Sequence, residues 1–335
     1  MKRFLNIVRY KEWFDSKWNI YLYVFLLYWI RHPETDGLVC LKGIVAVIFF
    51  SFFLLAFGYA FNEYSDAKED LMAGKVNFVA QLDKPKQRFL VGSLLALGVA
   101  IPICLFPNWG MALIISLSFL MAFLYSYRRF GIKQCGIWGL MVSSIAQRVC
   151  PMFVIFYLFD DWSATTVLVT VLSFIIGLRW ILIHQAEDQD NDKISHTKSF
   201  VVSLNNNESK LLAIITSVFV CELLCLSTIL ILNASFSWAI IIPIAYVLFQ
   251  LILLPFWKKI GWKRMILSYD FAPLADFYFL WAGVYATTAL SLCNPIYSIL
   301  FLPVFYFGYR YVILDYKYLI LNYKANRGLL SDPTR

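Results

Sequence analysis

Ten apolar runs follow one another along the chain: Trp18 to Ile30, Leu38 to Phe61, Phe89 to Phe106, Trp109 to Tyr125, Ile137 to Phe159, Thr165 to Ile183, Leu211 to Leu232, Phe236 to Phe256, Leu274 to Leu292 and Ile296 to Leu314. Several approach the roughly 20 residues a helix needs to cross a hydrocarbon core. Inside such a core each backbone N–H and C=O must be bonded within its own segment, so these runs are expected to be helices. Composition agrees, with 61% of the 335 residues hydrophobic and 15% charged and a mean hydropathy of +0.68, whereas an ordinary soluble domain is about a quarter charged. The expected fold is all-α, a polytopic transmembrane helix bundle of nine to ten spans, the first run being short enough to leave the count open. The chain is expected to be one integral membrane domain over residues 1–335, with a cytosolic N-terminal arm (1–17) and a cytosolic C-terminal tail (315–335). No small-residue cleavage site follows the first run, so no removable signal peptide is expected.

Charge orients the bundle. The arm carries Lys2, Arg3, Arg9, Lys11 and Lys17, and every second connection after it is also basic: Lys68 to Arg88, then Arg128 to Lys133, then Lys193 to Lys210, then Lys258 to Arg264. The alternate connections, such as Pro107-Asn108 and Asp160-Asp161, hold almost no Lys or Arg, with Arg31 and Lys42 as the exceptions. Basic loops stay on the cytoplasmic side. Both termini and the long loops are therefore expected there, in a multi-pass protein of a bacterial inner membrane. The net charge of +8 is absorbed by this topology, and with no nucleic-acid module in the sequence no nucleic-acid partner is expected. The seven cysteines lie mostly within apolar runs, with no pair at metal-finger spacing, and read as small buried hydrophobes.

Two acidic segments stand on that expected cytoplasmic side. After the second run the chain reads Asn62-Glu63-Tyr64-Ser65-Asp66-Ala67-Lys68-Glu69-Asp70, which puts Asn62, Asp66 and Asp70 four residues apart. On a continuing helix this spacing lines three oxygen-bearing side chains along one face. After the sixth run it reads His184-Gln185-Ala186-Glu187-Asp188-Gln189-Asp190-Asn191-Asp192-Lys193, with Asp188 and Asp192 at the same spacing. Carboxylates this close repel unless a cation sits between them, so two such pairs facing one cavity make a site for a divalent metal. Magnesium suits it best, because it takes a carboxylate or two and leaves positions for phosphate oxygens. Either segment alone could be an ordinary solvated loop. Two with the same spacing, ending equivalent spans on one side, favour a shared site.

These residues resemble the UbiA superfamily of intramembrane prenyltransferases. Asn62, Asp66 and Asp70 are similar to the family's N-x-x-x-D-x-x-x-D, Asp188 and Asp192 to its D-x-x-x-D, and Tyr125-Ser126 with Arg128, Arg129 and Lys133 to its Tyr-Ser loop and trailing basic residues. That loop departs from the family in lacking prolines and shifting its basic residues by one position, so either Arg128 or Arg129 is the phosphate contact. The resemblance implies a UbiA-like central cavity capped by cytosolic loops, bound Mg²⁺, and transfer of a prenyl group from an isoprenyl diphosphate to an acceptor the sequence does not identify. It implies Asp66, Asp70, Asp188 and Asp192 as metal-holding catalytic residues supported by Asn62. Lys68, Tyr125, Arg128, Arg129, Lys133 and Lys193 are the implied diphosphate contacts.

Polar groups inside apolar spans need partners. Arg148, Arg179, His184 and Glu222 are such groups. Arg179, His184 and Gln185 precede the second acidic segment, so they are candidates to line an acceptor cavity, with structural pairing the competing expectation for Arg179 and the favoured one for Arg148 and Glu222. Three rival functions are compatible with the motifs: a membrane terpene cyclase closing the prenyl cation on its own chain, transfer from a phosphorylated ribose donor, and a cation-binding transporter. Transporters often pair broken helices between halves, and no such pairing is evident in the sequence.

Overall fold

The computed structural model describes residues 2–14, 16–72, 74–127, 132–194, 197–205, 207–233, 237–269 and 271–327. Among the described residues there are helices and no strand. In chain order they are α1 (Lys2–Ile7), α2 (Trp18–Arg31), α3 (Gly37–Ser65), α4 (Ala67–Met72), α5 (Lys84–Leu105), α6 (Trp109–Ser126), α7 (Ile137–Phe159), α8 (Ala164–Glu187), α9 (Gln189–Ile194), α10 (Phe200–Ser203), α11 (Glu208–Leu232), α12 (Trp238–Ile252), α13 (Leu254–Ile260), α14 (Trp262–Leu267), α15 (Phe277–Cys293) and α16 (Pro295–Asn326).

Seven of these, α3, α5, α6, α7, α8, α11 and α16, are long and apolar enough to cross a membrane, and α12 with α13 adds an eighth if the pair is one span bent by 57°. Seven or eight helices among the described residues thus qualify by length and composition where nine to ten spans were expected. The first run forms α2, whose 14 residues reach only about 21 Å at 1.5 Å per residue, short of a core about 30 Å thick. The ninth forms α15, also below the length that qualifies. Hydropathy reads composition along the chain, and α2 is apolar because it is buried on almost every face. By contrast α5, α11 and α16 bury little of their apolar surface within the protein, as expected of helices whose outer solvent is lipid.

The chain divides into two compact units, the first comprising Met1–Phe14 and Glu34–Ile229, the second Asp15–Pro33 and Leu230–Arg335. In the first, α3 packs against α5 and α6, α6 against α7, and α7 against α8. Asn108 and Ser163 cap α6 and α8 through side-chain acceptors, and Asp36 does the same for α3. Phe119 of α6 meets Phe50 and Phe57 of α3 edge-on, with centroids 6.2 and 5.4 Å apart. Gly98 of α5 admits that ring, since a Cβ there would stand 2.4 Å from it.

The second unit packs α2 on α15. Tyr23 OH donates to the Phe279 carbonyl at 3.0 Å, and Gly283 gives the Tyr23 ring room, a Cβ there lying 2.5 Å from it. Leu253, Phe256, Ile260 and Tyr318 form an apolar cluster of this unit. Among the described residues each unit has one helix with a π turn: Ile145–Val149 in α7 and Phe277–Trp281 in α15.

Candidate functional site

Both acidic segments belong to the first unit and have the same backbone form. Neither runs on as one helix: α3 stops at Ser65 and α8 at Glu187, with Asp66 (φ −91°, ψ 8°) and Asp188 (φ −89°, ψ 1°) as the residues that close them. Each lies near the bridge region, where a helix ends without glycine. A six-residue helix follows each, α4 and α9. Four-residue bonding nevertheless persists through the junction, from Asp66 N–H to the Asn62 carbonyl (2.8 Å) and from Asp70 N–H to that of Asp66 (2.9 Å). The second segment repeats it from Asp188 to His184 (3.0 Å) and from Asp192 to Asp188 (2.9 Å). The short helices also close alike, Lys75 N–H on the Asp70 carbonyl and Thr197 N–H on that of Asp192, each at 2.8 Å.

Two lysines join the segments. Lys133, from the 3₁₀ turn Ile132–Gln134, donates to Asp66 Oδ2 at 2.5 Å and lies close enough to Asp192 to feel its charge. Lys75 reaches across to donate to Asp188 Oδ1 at 3.0 Å, and its charge also acts on Asp70 and Asp192. The loop that carries Lys75 is itself pinned to the first segment. Asn77 Nδ2 donates to the Glu63 carbonyl (2.8 Å) and to Asp70 Oδ2 (2.7 Å), while Val79 N–H donates to Glu63 Oε2 (3.0 Å).

The electrostatics follow from burial and these partners. Burial pushes the Asp70 and Asp192 carboxyls above the usual range, in the first case against a hydrogen bond from Asn77. Burial acts upward on Asp188 too, but His184 and Lys75 outweigh it and hold that carboxyl below the usual value. Burial opposes the charge on Lys133, yet Asp66 overcomes it and keeps the ammonium more firmly protonated than usual.

Among the described residues no three His, Cys, Asp or Glu side chains stand close enough together to hold a metal ion as they are placed. Asp66 and Asp188 are instead each held by a lysine, and Asp70 by the Asn77 amide. The donor set still fits a hard divalent cation, being four carboxylates and an amide oxygen. That amide oxygen, Asn62 Oδ1, is buried with no hydrogen-bond partner.

The remaining expected site residues are spread more widely. Tyr125, half-buried at the end of α6, lies within hydrogen-bond reach of Ser143 and close to Lys133, Asp66 and Asp192. Lys68 is exposed on α4. Lys193 pairs at 3.3 Å with Asp190, whose side chain is 94% exposed, so it is turned toward solvent. Arg128 and Arg129 lie outside the described residues. His184 is half-exposed with Nε2 3.5 Å from Asp188 Oδ2, and Gln185 is buried with Oε1 accepting from Val201 N–H at 3.3 Å.

Arg179 is paired inside the helix bundle. Its side chain is fully buried and grips Glu222 of α11 with two bonds, Nε to Oε2 at 2.6 Å and Nη2 to Oε1 at 2.8 Å. The pairing expectation therefore describes this arginine, for the reason that gave rise to it: a lone charge among apolar helices needs an opposite one. Sequence reasoning passed over Lys75 and Asn77 as site residues. The signal was there in the spacing, since Lys75 and Thr197 stand at the same interval after the last aspartate of each segment.

Comparison with known proteins bears on the family and the fold. The model of the UbiA prenyltransferase family matches residues 20–265 of the chain. A UbiA homologue from Archaeoglobus fulgidus aligns over 86% of this chain and 99% of its own, at 14% identity and a TM-score of 0.55. The structure of a UbiA homologue from Archaeoglobus fulgidus bound to GPP and Mg²⁺ aligns over 96% of this chain and 99% of that one, at 12% identity and a TM-score of 0.51. A digeranylgeranylglyceryl phosphate synthase aligns over 89% and 96%, at 17% identity and a TM-score of 0.50. At such identities the likeness is one of fold. No curated protein matches the chain by sequence.

Proposed function

The chain belongs to the UbiA prenyltransferase family, and from that membership we propose that it transfers a prenyl group from an isoprenyl diphosphate to a lipid-soluble or membrane-surface acceptor, with Mg²⁺ as cofactor. The observation that carries this reading is the pair of lysines shared by the two acidic segments: Lys133 on Asp66 and near Asp192, Lys75 on Asp188 and near Asp70. Two sets of carboxylates interleaved with two ammonium groups make a cradle that matches a diphosphate held through cations. A homologue of the same fold has been solved with GPP and Mg²⁺.

In this reading Asp66, Asp70, Asp188 and Asp192 hold the metal and Asn62 Oδ1 supports it, giving that oxygen the partner it lacks. Bound Mg²⁺ supplies positive charge that neutralises the diphosphate and stabilises the leaving oxygen as the allylic C–O bond breaks. Lys133 and Lys75 exchange their carboxylate partners for phosphate oxygens, which keeps charge balanced both with and without substrate. Tyr125 stands beside Lys133 and helps orient it, and Arg128 and Arg129 are further candidate phosphate contacts. The basic connections support a cytoplasmic face for this chemistry.

The experiment is turnover of labelled prenyl diphosphates of several chain lengths by full-length protein in native lipid, with products analysed by mass spectrometry. Prenylated acceptor that disappears with Asp66→Ala or Asp188→Ala is the expected result. Undiminished turnover in both variants would refute the metal-holding role, and a hydrocarbon or terpene alcohol formed without acceptor would replace transfer by cyclisation.

A further inference from the structure

Within the second unit two carboxyl groups meet among apolar helices. Asp276, at the start of α15, and Asp315 of α16 are 5% and 9% exposed, and their side chains lie within hydrogen-bond reach of each other. Tyr246 OH donates to Asp276 Oδ1 at 2.8 Å, Phe277 N–H to the same oxygen at 2.9 Å, and Gln250 Nε2 to Oδ2 at 3.0 Å. Trp281 Nε1 donates to Asp315 Oδ2 at 3.0 Å. Trp257 Nε1 donates to Gln250 Oε1 at 3.0 Å and fixes which way that amide faces. The other oxygen of Asp315, Oδ1, is buried with no donor.

Among the described residues no lysine, arginine or histidine pairs with either aspartate. Two ionised carboxylates in contact in an apolar interior repel strongly, and the neutral donors around them bring no positive charge to offset that repulsion. One positive charge has to sit between them. A metal ion would need several lone pairs turned inward, whereas the phenol, amide, indole and backbone groups around the pair all turn hydrogens toward it. A proton needs only the one oxygen that lacks a donor.

We propose that Asp276 and Asp315 form a buried site for a single proton, shared between the two carboxyls, which ties α12, α15 and α16 together. The titratable groups around it are Tyr246 from α12, Tyr278 from α15 near Tyr246, and the two aspartates themselves. The site is independent of the transferase reading. Its thermodynamic sign is fixed: the folded chain holds a proton that an unfolded aspartate, with a pKa near 3.9, gives up at neutral pH. The folded state then binds more protons than the unfolded one, so stability falls as pH rises through the value at which the pair releases its proton.

Infrared spectroscopy of the full-length protein in lipid nanodiscs, with isotope-labelled aspartate, reads this directly when combined with melting curves. At neutral pH the wild type is expected to show a protonated-carboxyl C=O band that bleaches at alkaline pH as Tm falls. Asp315→Asn and Asp276→Asn, each supplying a neutral amide in place of the protonated acid, should lose both the band and the alkaline fall. Absence of the band in the wild type, or its survival in both variants, overturns the site. Loss of the band on adding sodium ions at constant pH assigns a metal ion instead and overturns the proton. Should neither variant fold, bleaching of the wild-type band without a fall in Tm overturns it as well.

Discussion

Lys75 closes the loop after the first acidic segment and donates to Asp188 Oδ1 of the second at 3.0 Å, across 113 residues of sequence. A lysine in that position neutralises a carboxylate that the proposed chemistry needs for metal, so it competes with the cation and assists the anion.

This competition gives two effects of opposite sign. Replacing Lys133 or Lys75 by Met frees Asp66 or Asp188, so Mg²⁺ alone should bind at least as tightly as in the wild type. Diphosphate should bind more weakly, by about 10- to 100-fold for the loss of one charged hydrogen bond of about 1.5–3 kcal/mol. Separate calorimetric titrations with MgCl₂ and with inorganic diphosphate plus Mg²⁺ check both signs.

Much of this was legible beforehand. The acidic segments announced themselves by spacing, and the helical fold by runs of apolar residues. What the sequence did not disclose were relationships that no local pattern encodes. Asp66 and Asp188 end their helices without the glycine or proline that usually marks a stop. Glu222 is the partner of Arg179 from another helix, 43 residues on. The shortness of the first run was visible, but a short helix buried in protein is as apolar as one that faces lipid, so hydropathy alone left its count as a span open.

The Arg179–Glu222 pair should behave as a buried ion pair whose halves depend on each other. Arg179→Met alone leaves a buried carboxylate uncompensated, with an expected loss of about 3–5 kcal/mol, while the double change Arg179→Met with Glu222→Met should recover most of it. Melting curves of the two singles and the double in one detergent complete the cycle. A double variant as unstable as the worse single would contradict the pairing account.

Lys133 is also placed by a glycine. A Cβ at position 139 would meet the carbonyl oxygens of Ile132 and Lys133 at 2.8 and 2.9 Å, and backbone cannot give way as a side chain does. Gly139→Ala should therefore destabilise by about 1–3 kcal/mol and displace the turn that carries Lys133. A steady-state assay should show a raised KM for the prenyl diphosphate at saturating Mg²⁺.

Acid should disarm the site in a definite order. Asp70 and Asp192 are held above the ordinary carboxylate range and Asp188 below it, and metal binds the ionised forms. As pH falls, Mg²⁺ affinity should begin to drop while Asp188 is still ionised, with protons released on binding in that range. For stability the sign at Asp188 is the reverse of a raised group: its contribution is present above the unfolded value near 3.9 and lost as pH falls through the lower folded value. Calorimetry in buffers of different ionisation enthalpy counts the protons.

The most direct measurement is the stoichiometry and Mg²⁺ dependence of diphosphate binding in wild type, Asp66→Asn, Asp188→Asn and the double variant. One diphosphate per chain, lost on changing either aspartate alone and no weaker still in the double, is the result expected if both segments grip one ligand. Undiminished binding in each single variant, with loss only in the double, would contradict it.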